Sequence, residues 1–225
     1  MASTSWHGTL GNPSWPAPEQ VVFCEEENRP GYTSTHAHEW RDSTDVLRAK
    51  IELLSVLIEK SKRCVAYTGA GISVASGIHD YASKAKDSIS SAGKRTVLLS
   101  PFHAQPTLAH HVLTALQRQG HLAHWVQQNH DGLPQKAGFP QSHLNEVHGA
   151  WYDPSNPTVP MEGELREDCA CLMHQWAEDA DLALGLGTSM SGMNADRVVS
   201  QTANRALKEE VGVIGSVIIN LQKTQ

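Results

Sequence analysis

Cys64-Val-Ala-Tyr-Thr-Gly-Ala-Gly-Ile-Ser73 decides the fold. The run Cys64–Tyr67 is apolar and is stopped by Gly69, which reads as a short strand buried on both faces and feeding a glycine turn. A strand, then Gly69-Ala70-Gly71, then a helix is an arrangement that binds dinucleotides. Absent side chains let backbone N–H groups approach a diphosphate, and the helix N-terminus supplies positive potential. The third glycine falls at Gly77, so the usual G-x-G-x-x-G spacing is not met, and no ribose-binding acid follows the second strand. An ordinary Rossmann dehydrogenase is therefore disfavoured, and a tight turn without a ligand would use the same residues.

Outward from this stretch, strands and helices alternate. Upstream, Ser43 or Thr44 caps a helix in which Leu47, Ile51, Leu54 and Ile58 recur at steps of four, three and four, ending in Lys60, Lys62 and Arg63. Downstream, the pattern predicts a helix from Pro106 to Gly120 and strands at Ala123–Gln127 and Leu144–Val147. It then predicts a helix around Asp168–Asp179 burying Leu172, Met173 and Trp176, a strand Asp181–Leu186, a helix over Asn194–Glu209 and a strand ending at Asn220. Such alternation implies an α/β fold with a doubly wound, mostly parallel, Rossmann-like sheet. Residues 43–225 form that domain. Residues 1–42, rich in Pro, Gly, Ser, Thr and Glu, read as an N-terminal arm, partly ordered at best through Trp6, Trp15 and Trp40.

Bulk properties narrow the class. The 225 residues suffice for a substantial core, and 40% apolar with 19% charged residues are globular values. A net charge of −6 without a basic run disfavours direct nucleic-acid binding. The longest apolar segment, Val211 to Leu221, is short and broken by glycines, so no membrane span is expected, and Met1–Gln20 lacks the pattern of a signal peptide. Four cysteines without framework spacing suit a reducing, intracellular compartment, nuclear or cytoplasmic. Of the thirteen histidines, the pairs His36/His38 and His110/His111 read as solvated or helix-surface residues rather than metal ligands.

Three further segments bear chemistry. Gln128-Asn-His-Asp-Gly132 stands past a strand end, where α/β sheets hold ligands; Asn129 and Asp131, two apart, can grip a carboxamide or a ribose hydroxyl, though N-x-D-G is also ordinary turn chemistry. His148, after Leu144–Val147, is an imidazole at a strand end with the right range for base work, or a structural histidine. Gly187-Thr-Ser189 offers backbone and hydroxyl donors for ribose or phosphate, or a capped helix start.

Taken jointly, these segments closely resemble the sirtuins, the NAD-dependent protein deacylases. The resemblance runs from about Arg63 to Gln222 and includes Cys64–Ile78, Gln105-Pro-Thr-Leu-Ala-His110, Gln128-Asn129, Asp131-Gly-Leu133, Ala137-Gly138, Glu146-Val-His-Gly149, Ala180-Asp-Leu182, Gly187-Thr-Ser189 and Ile218-Ile-Asn-Leu-Gln222, in the family's order and spacing. Tyr81 and the Asn-Leu-Gln detail look most like the branch containing the nuclear sirtuins. The resemblance implies NAD as cofactor and acylated lysine on a protein as partner. It implies His148 as catalytic base, Asn129 orienting the ribose or a water, and Asp131 holding the nicotinamide carboxamide, with Gln128 beside them. Gly69, Ala70, Gly71 and Ser73 would line the phosphates. Asp80 and Tyr81 would lie on the loop over the nicotinamide ribose, and Gly187, Thr188, Ser189 and Asn220 would bind the adenosine half.

Departures from the family pattern set further expectations. Ala82 stands where the loop carries arginine, and His130 replaces a small apolar residue. After His148 the family has a zinc ribbon with two Cys pairs; here Gly149–Asn156 runs directly into Pro157–Glu164, with Glu162 in place of a phenylalanine. Residues 149–164 thus read as a shortened connection, the small zinc module reduced or absent. Cys169-Ala-Cys171 with His174 cannot supply four soft ligands from two separated pairs, so no metal is expected. The family continues past the Ile-Asn strand with another strand and helix, whereas this sequence ends at Gln225, which implies a longer chain or an adenine pocket finished by other means. The expected function is sirtuin-type deacylation of protein lysine. The alternatives are an NAD hydrolase, a protein ADP-ribosyltransferase or a catalytically degenerate NAD-binding module.

Overall fold

The computed structural model describes residues 6–28, 31, 35–78, 102–160, 163–191 and 193–224. Five strands form one parallel sheet: β3 (Cys64–Thr68), β4 (His124–Gln127), β5 (Leu144–Glu146), β6 (Leu182–Leu186) and β7 (Gly215–Ile219), in the order β5-β4-β3-β6-β7. The central β3 alternates strictly. Val65 and Tyr67 enter one core with Met173, Trp176, Val198 and Val199, while Cys64 and Ala66 enter the other with Leu113, Trp125, Leu182 and Leu184. Burial on both faces is what its unbroken apolar run requires. The helices supply the two covers: α4 (Glu167–Asp179) and α5 (Arg197–Leu207) on one side, α1 (Thr44–Lys60) and α2 (Leu108–Arg118) on the other.

Helix starts follow local chemistry. Ser43 caps α1, its hydroxyl accepting from Val46 N–H at 3.4 Å. Pro106 lies just outside α2, because Thr107 takes the cap position and His110 closes the box: Thr107 N–H donates to His110 Nδ1 at 3.2 Å. His110 is therefore fully buried rather than on the helix surface as expected. Leu172 corrects in the opposite sense: it is 36% exposed, and Met173 and Trp176 carry the buried face of α4. The predicted helix over 194–209 divides into a 3-10 turn, Asn194–Asp196, and α5. The segment before α1 contains a two-stranded antiparallel sheet, β1 (Glu19–Val22) and β2 (Glu39–Arg41). No described helix is long and apolar enough to cross a membrane.

Two histidines, one fully and one partly buried, make stability depend on pH. Burial, then His111, pulls His110 down to about 4. His124, stacked on Trp176 at 4.1 Å, is lowered to about 4, chiefly by burial and then by His143. A folded-state value below the unfolded one near 6.5 means the unfolded chain binds more protons, so stability is full above pH 6.5 and falls toward pH 4. Urea titrations are expected to show about 2 kcal/mol less stability at pH 5 than at pH 7.5 from His110, with less from the half-exposed His124. An unchanged pH dependence in a His110→Gln variant would contradict this.

Candidate functional site

The strand order reverses direction at β3: the chain runs outward through β4 and β5, then returns to place β6 on the other side. Open α/β sheets bind ligands outside the carboxyl ends of strands at such a switch point. There the turn after β3 meets the turn after β6. Gly69 and Gly71 oppose Gly187 so closely that a Cβ on Gly69 would lie 2.8 Å from Gly187 O, and one on Gly71 would lie 2.8 Å from Gly187 Cα. Gly187 itself has φ +57.

The glycines also hold the two turns together. The N–H groups of Gly69 and Gly71 donate to Leu186 O (3.1 Å) and Gly187 O (2.9 Å), and those of Ile72 and Ser73 turn back to Gly69 O and Ala70 O. The turn is a seam between two loops that also lines the cavity above it. Two 3-10 turns, Ala70–Ile72 and Val74–Ser76, follow in place of the expected helix, up to the last described residue of this stretch, Ile78.

Ser73 is the hub of what lies above the seam. Its hydroxyl donates to Asp131 Oδ2 at 2.6 Å and accepts from Asn129 Nδ2 at 3.1 Å; Asn129 Nδ2 also reaches Gly69 O at 3.0 Å. Asn129 and Asp131 thus do converge. Gly132, at φ +66, lets Asp131 Oδ1 accept from Leu133 N–H at 3.0 Å and start the short helix α3 (Leu133–Lys136). Burial raises the Asp131 carboxyl above its ordinary range, partly offset by the Ser73 and Leu133 bonds and by His130. Gln128 Nε2 donates to Thr188 Oγ1 at 3.1 Å, tying the loop after β4 to the loop after β6.

His148 follows β5 and lines the same cavity as Gly71, Asn129 and Asp131. Its Nδ1 is 3.2 Å from Gln128 O, a contact only an N–H can make favourably, so the neutral ring keeps its basic lone pair on Nε2. His130 is fixed the same way through Gly149 O at 3.0 Å, with its ring 6.4 Å from His148 and 5.6 Å from Trp151. Ser189 bonds Ser191 at 2.5 Å, Asn220 Nδ2 donates to Gln222 O at 3.1 Å, and both Ser189 and Asn220 line the cavity. Asp80, Tyr81, Ala82 and Glu162 lie outside the described residues.

The sequence reading missed the support beneath this loop. Glu146 is buried, with its carboxyl raised by that burial, and accepts from Tyr152 Oη (2.6 Å) and Gln135 Nε2 (2.9 Å). The Tyr152 ring lies against Gly132, where a Cβ would sit 2.6 Å from Cε1. The adjacent aromatics Trp151 and Tyr152, in an otherwise polar connection, were the available signal. Among the described residues no group of three or more His, Cys, Asp or Glu side chains could hold a metal ion, and all four cysteines are free.

Fold and site together define an α/β protein with a Rossmann-like parallel sheet and a cavity at the carboxyl ends of its strands. A sequence model of the Sir2 family matches residues 91–155. The chain is 31% identical to the NAD-dependent protein deacetylase SRT1 of Arabidopsis thaliana, across 92% of this chain and 49% of that protein. It is 36% identical to the human NAD-dependent protein deacetylase sirtuin-7 across 49% and 28%. Among solved structures, a Sir2 complex with a p53 peptide and NAD+ matches with TM-score 0.61 at 21% identity, covering 77% of this chain and 88% of that one. A second Sir2 enzyme structure matches with TM-score 0.63 at 22% identity, covering 79% and 88%; both likenesses bear on the fold. The chain belongs to the Sir2 family, the sirtuins. It spans about half the length of the Arabidopsis relative.

Proposed function

We propose that the protein is an NAD-dependent protein-lysine deacylase of sirtuin type, acting inside the cell. The observation that carries this reading is the meeting of Asn129 and Asp131 on Ser73 at the switch point of the sheet, with His148 held by Gln128 O on the same cavity, in a chain whose relatives are named NAD-dependent protein deacetylases. Four free cysteines support the intracellular placement.

The residues present fit NAD. Asp131 carries a buried carboxylate with lone pairs beyond its two bonds, suited to the N–H groups of a carboxamide. Asn129 would orient the ribose, and the Gly69–Gly187 seam with Thr188, Ser189 and Asn220 would line the diphosphate and adenosine half. When bound, NAD supplies a ribose carbon that loses nicotinamide to an acyl oxygen, and a ribose hydroxyl that receives the acyl group. His148 accepts the proton of that hydroxyl at Nε2, its Nδ1–H held by Gln128 O. Ser73 keeps Asn129 and Asp131 in register, and Tyr152 with Glu146 holds the loop that carries them. In this reading the connection 149–164 replaces the family's zinc module, and its Trp151 and Tyr152 pack against the loop at His130 and Gly132.

Incubation of the full chain with NAD and an acetyl-lysine peptide is expected to release nicotinamide only when the peptide is present, and to yield deacylated peptide. Nicotinamide release with NAD alone, at a rate the peptide does not change, would replace this reading by an NAD hydrolase. No NAD consumption under either condition would leave a binding module.

A further inference from the structure

The segment before α1 lines the same cavity as His148. Trp40 of β2 donates its backbone N–H to Leu221 O at 2.8 Å, and its neighbour Glu39 bridges to Gln222. Trp6 lies on Trp40, ring centroids 4.6 Å apart, and remains 39% exposed. Lys223 sets its ammonium 5.3 Å from the Trp6 ring centroid. These contacts begin one residue past Asn220, so the N-terminal sheet is docked on the strand end that the adenosine half was expected to use. The cavity lined by Gly71, His148 and Asn220 continues without a break along Leu221 to Trp6, Trp40 and Lys223.

The chemistry of this end is specific. His148 follows β5 and Asn220 follows β7, opposite edges of the sheet and four strand spacings apart, about 19 Å at ~4.8 Å each. A dinucleotide laid across the strand ends with its nicotinamide at Asp131 and His148 therefore carries its other base toward Leu221. What waits there is two indoles and an ammonium, a surface for a planar base on an anionic chain. We propose that Trp6 and Trp40, with Lys223, form the subsite for the adenine of NAD. The indole stacks on the base, and Lys223 offsets the charge of the diphosphate. The N-terminal segment, together with Lys223 beyond β7, closes the adenine end of the cleft. The inference rests on the NAD reading above.

Calorimetric titration of the full chain with ADP-ribose and with nicotinamide mononucleotide, which lacks the adenosine half, tests it. Trp6→Ala is expected to weaken ADP-ribose about tenfold, the size of one aromatic–base stack, with nicotinamide mononucleotide unchanged and Trp6→Phe restoring most of the loss. Unchanged ADP-ribose affinity, or equal weakening of both ligands, would overturn the subsite while leaving the NAD reading standing. Wild-type protein that binds neither ligand would overturn both. Should Trp6→Ala not fold, the indole N–H resonance of Trp6 in the wild type, assigned through Trp6→Phe, is expected to shift with ADP-ribose and not with nicotinamide mononucleotide. An unmoved resonance overturns the subsite equally.

Discussion

Replacing His148 by alanine is expected to lower deacylated-peptide formation by about 10²–10⁴-fold, the range a positioned general base contributes. The size of the loss follows from the geometry. Gln128 O fixes the ring through Nδ1 and so assigns the basic lone pair to Nε2, on a ring that lines the same cavity as Asn129 and Asp131. In this account the imidazole acts on the ribose hydroxyl after nicotinamide has left. Exchange of labelled nicotinamide into NAD should therefore fall far less than product formation. Equal losses in both would place His148 in binding instead, and no loss in either would remove it from the chemistry.

Gly187→Ala is expected to cost about 3 kcal/mol of stability, the sum of a methyl forced into packed backbone and a side chain forced into the left-handed region. The new Cβ would lie 2.5 Å from Ile72 N and 2.8 Å from Gly71 C, and φ is +57. Neither neighbour is a flexible side-chain end, so the loops after β3 and β6 must part. Gly120→Ala is the control. Its φ of +79 carries the same conformational cost, but nothing lies within 4 Å of the added methyl, so urea titration should show about 1–2 kcal/mol there. Equal losses in the two variants would mean that the seam is not tightly packed. A fall in ADP-ribose affinity should accompany Gly187→Ala and not Gly120→Ala.

Much of this was legible before any coordinates. The strands lie within a residue or two of their expected positions, and β3 alternates between two cores as its unbroken apolar character requires. The convergence of Asn129 and Asp131 was also readable, since two residues past one strand end share a direction. Three features were not. Glycine spacing cannot distinguish a turn that opens amides to a ligand from one that presses against a second loop, and the partner at Gly187 is over a hundred residues away in sequence. His110 looked like a surface histidine because its burial comes from capping Thr107, not from apolar periodicity. The segment before α1 looked like an arm because its tryptophans are isolated in sequence; only the pairing of β1 with β2 and of Trp40 with Leu221 brings them to the cleft.

Soaking NAD into crystals of the full chain tests the central claim most directly. The account predicts the dinucleotide across the carboxyl ends of the sheet, its nicotinamide carboxamide on Asp131, its nicotinamide ribose within hydrogen-bond reach of His148 and its adenine against Trp6. NAD seated elsewhere, or a His148 turned away from the ribose, would contradict it.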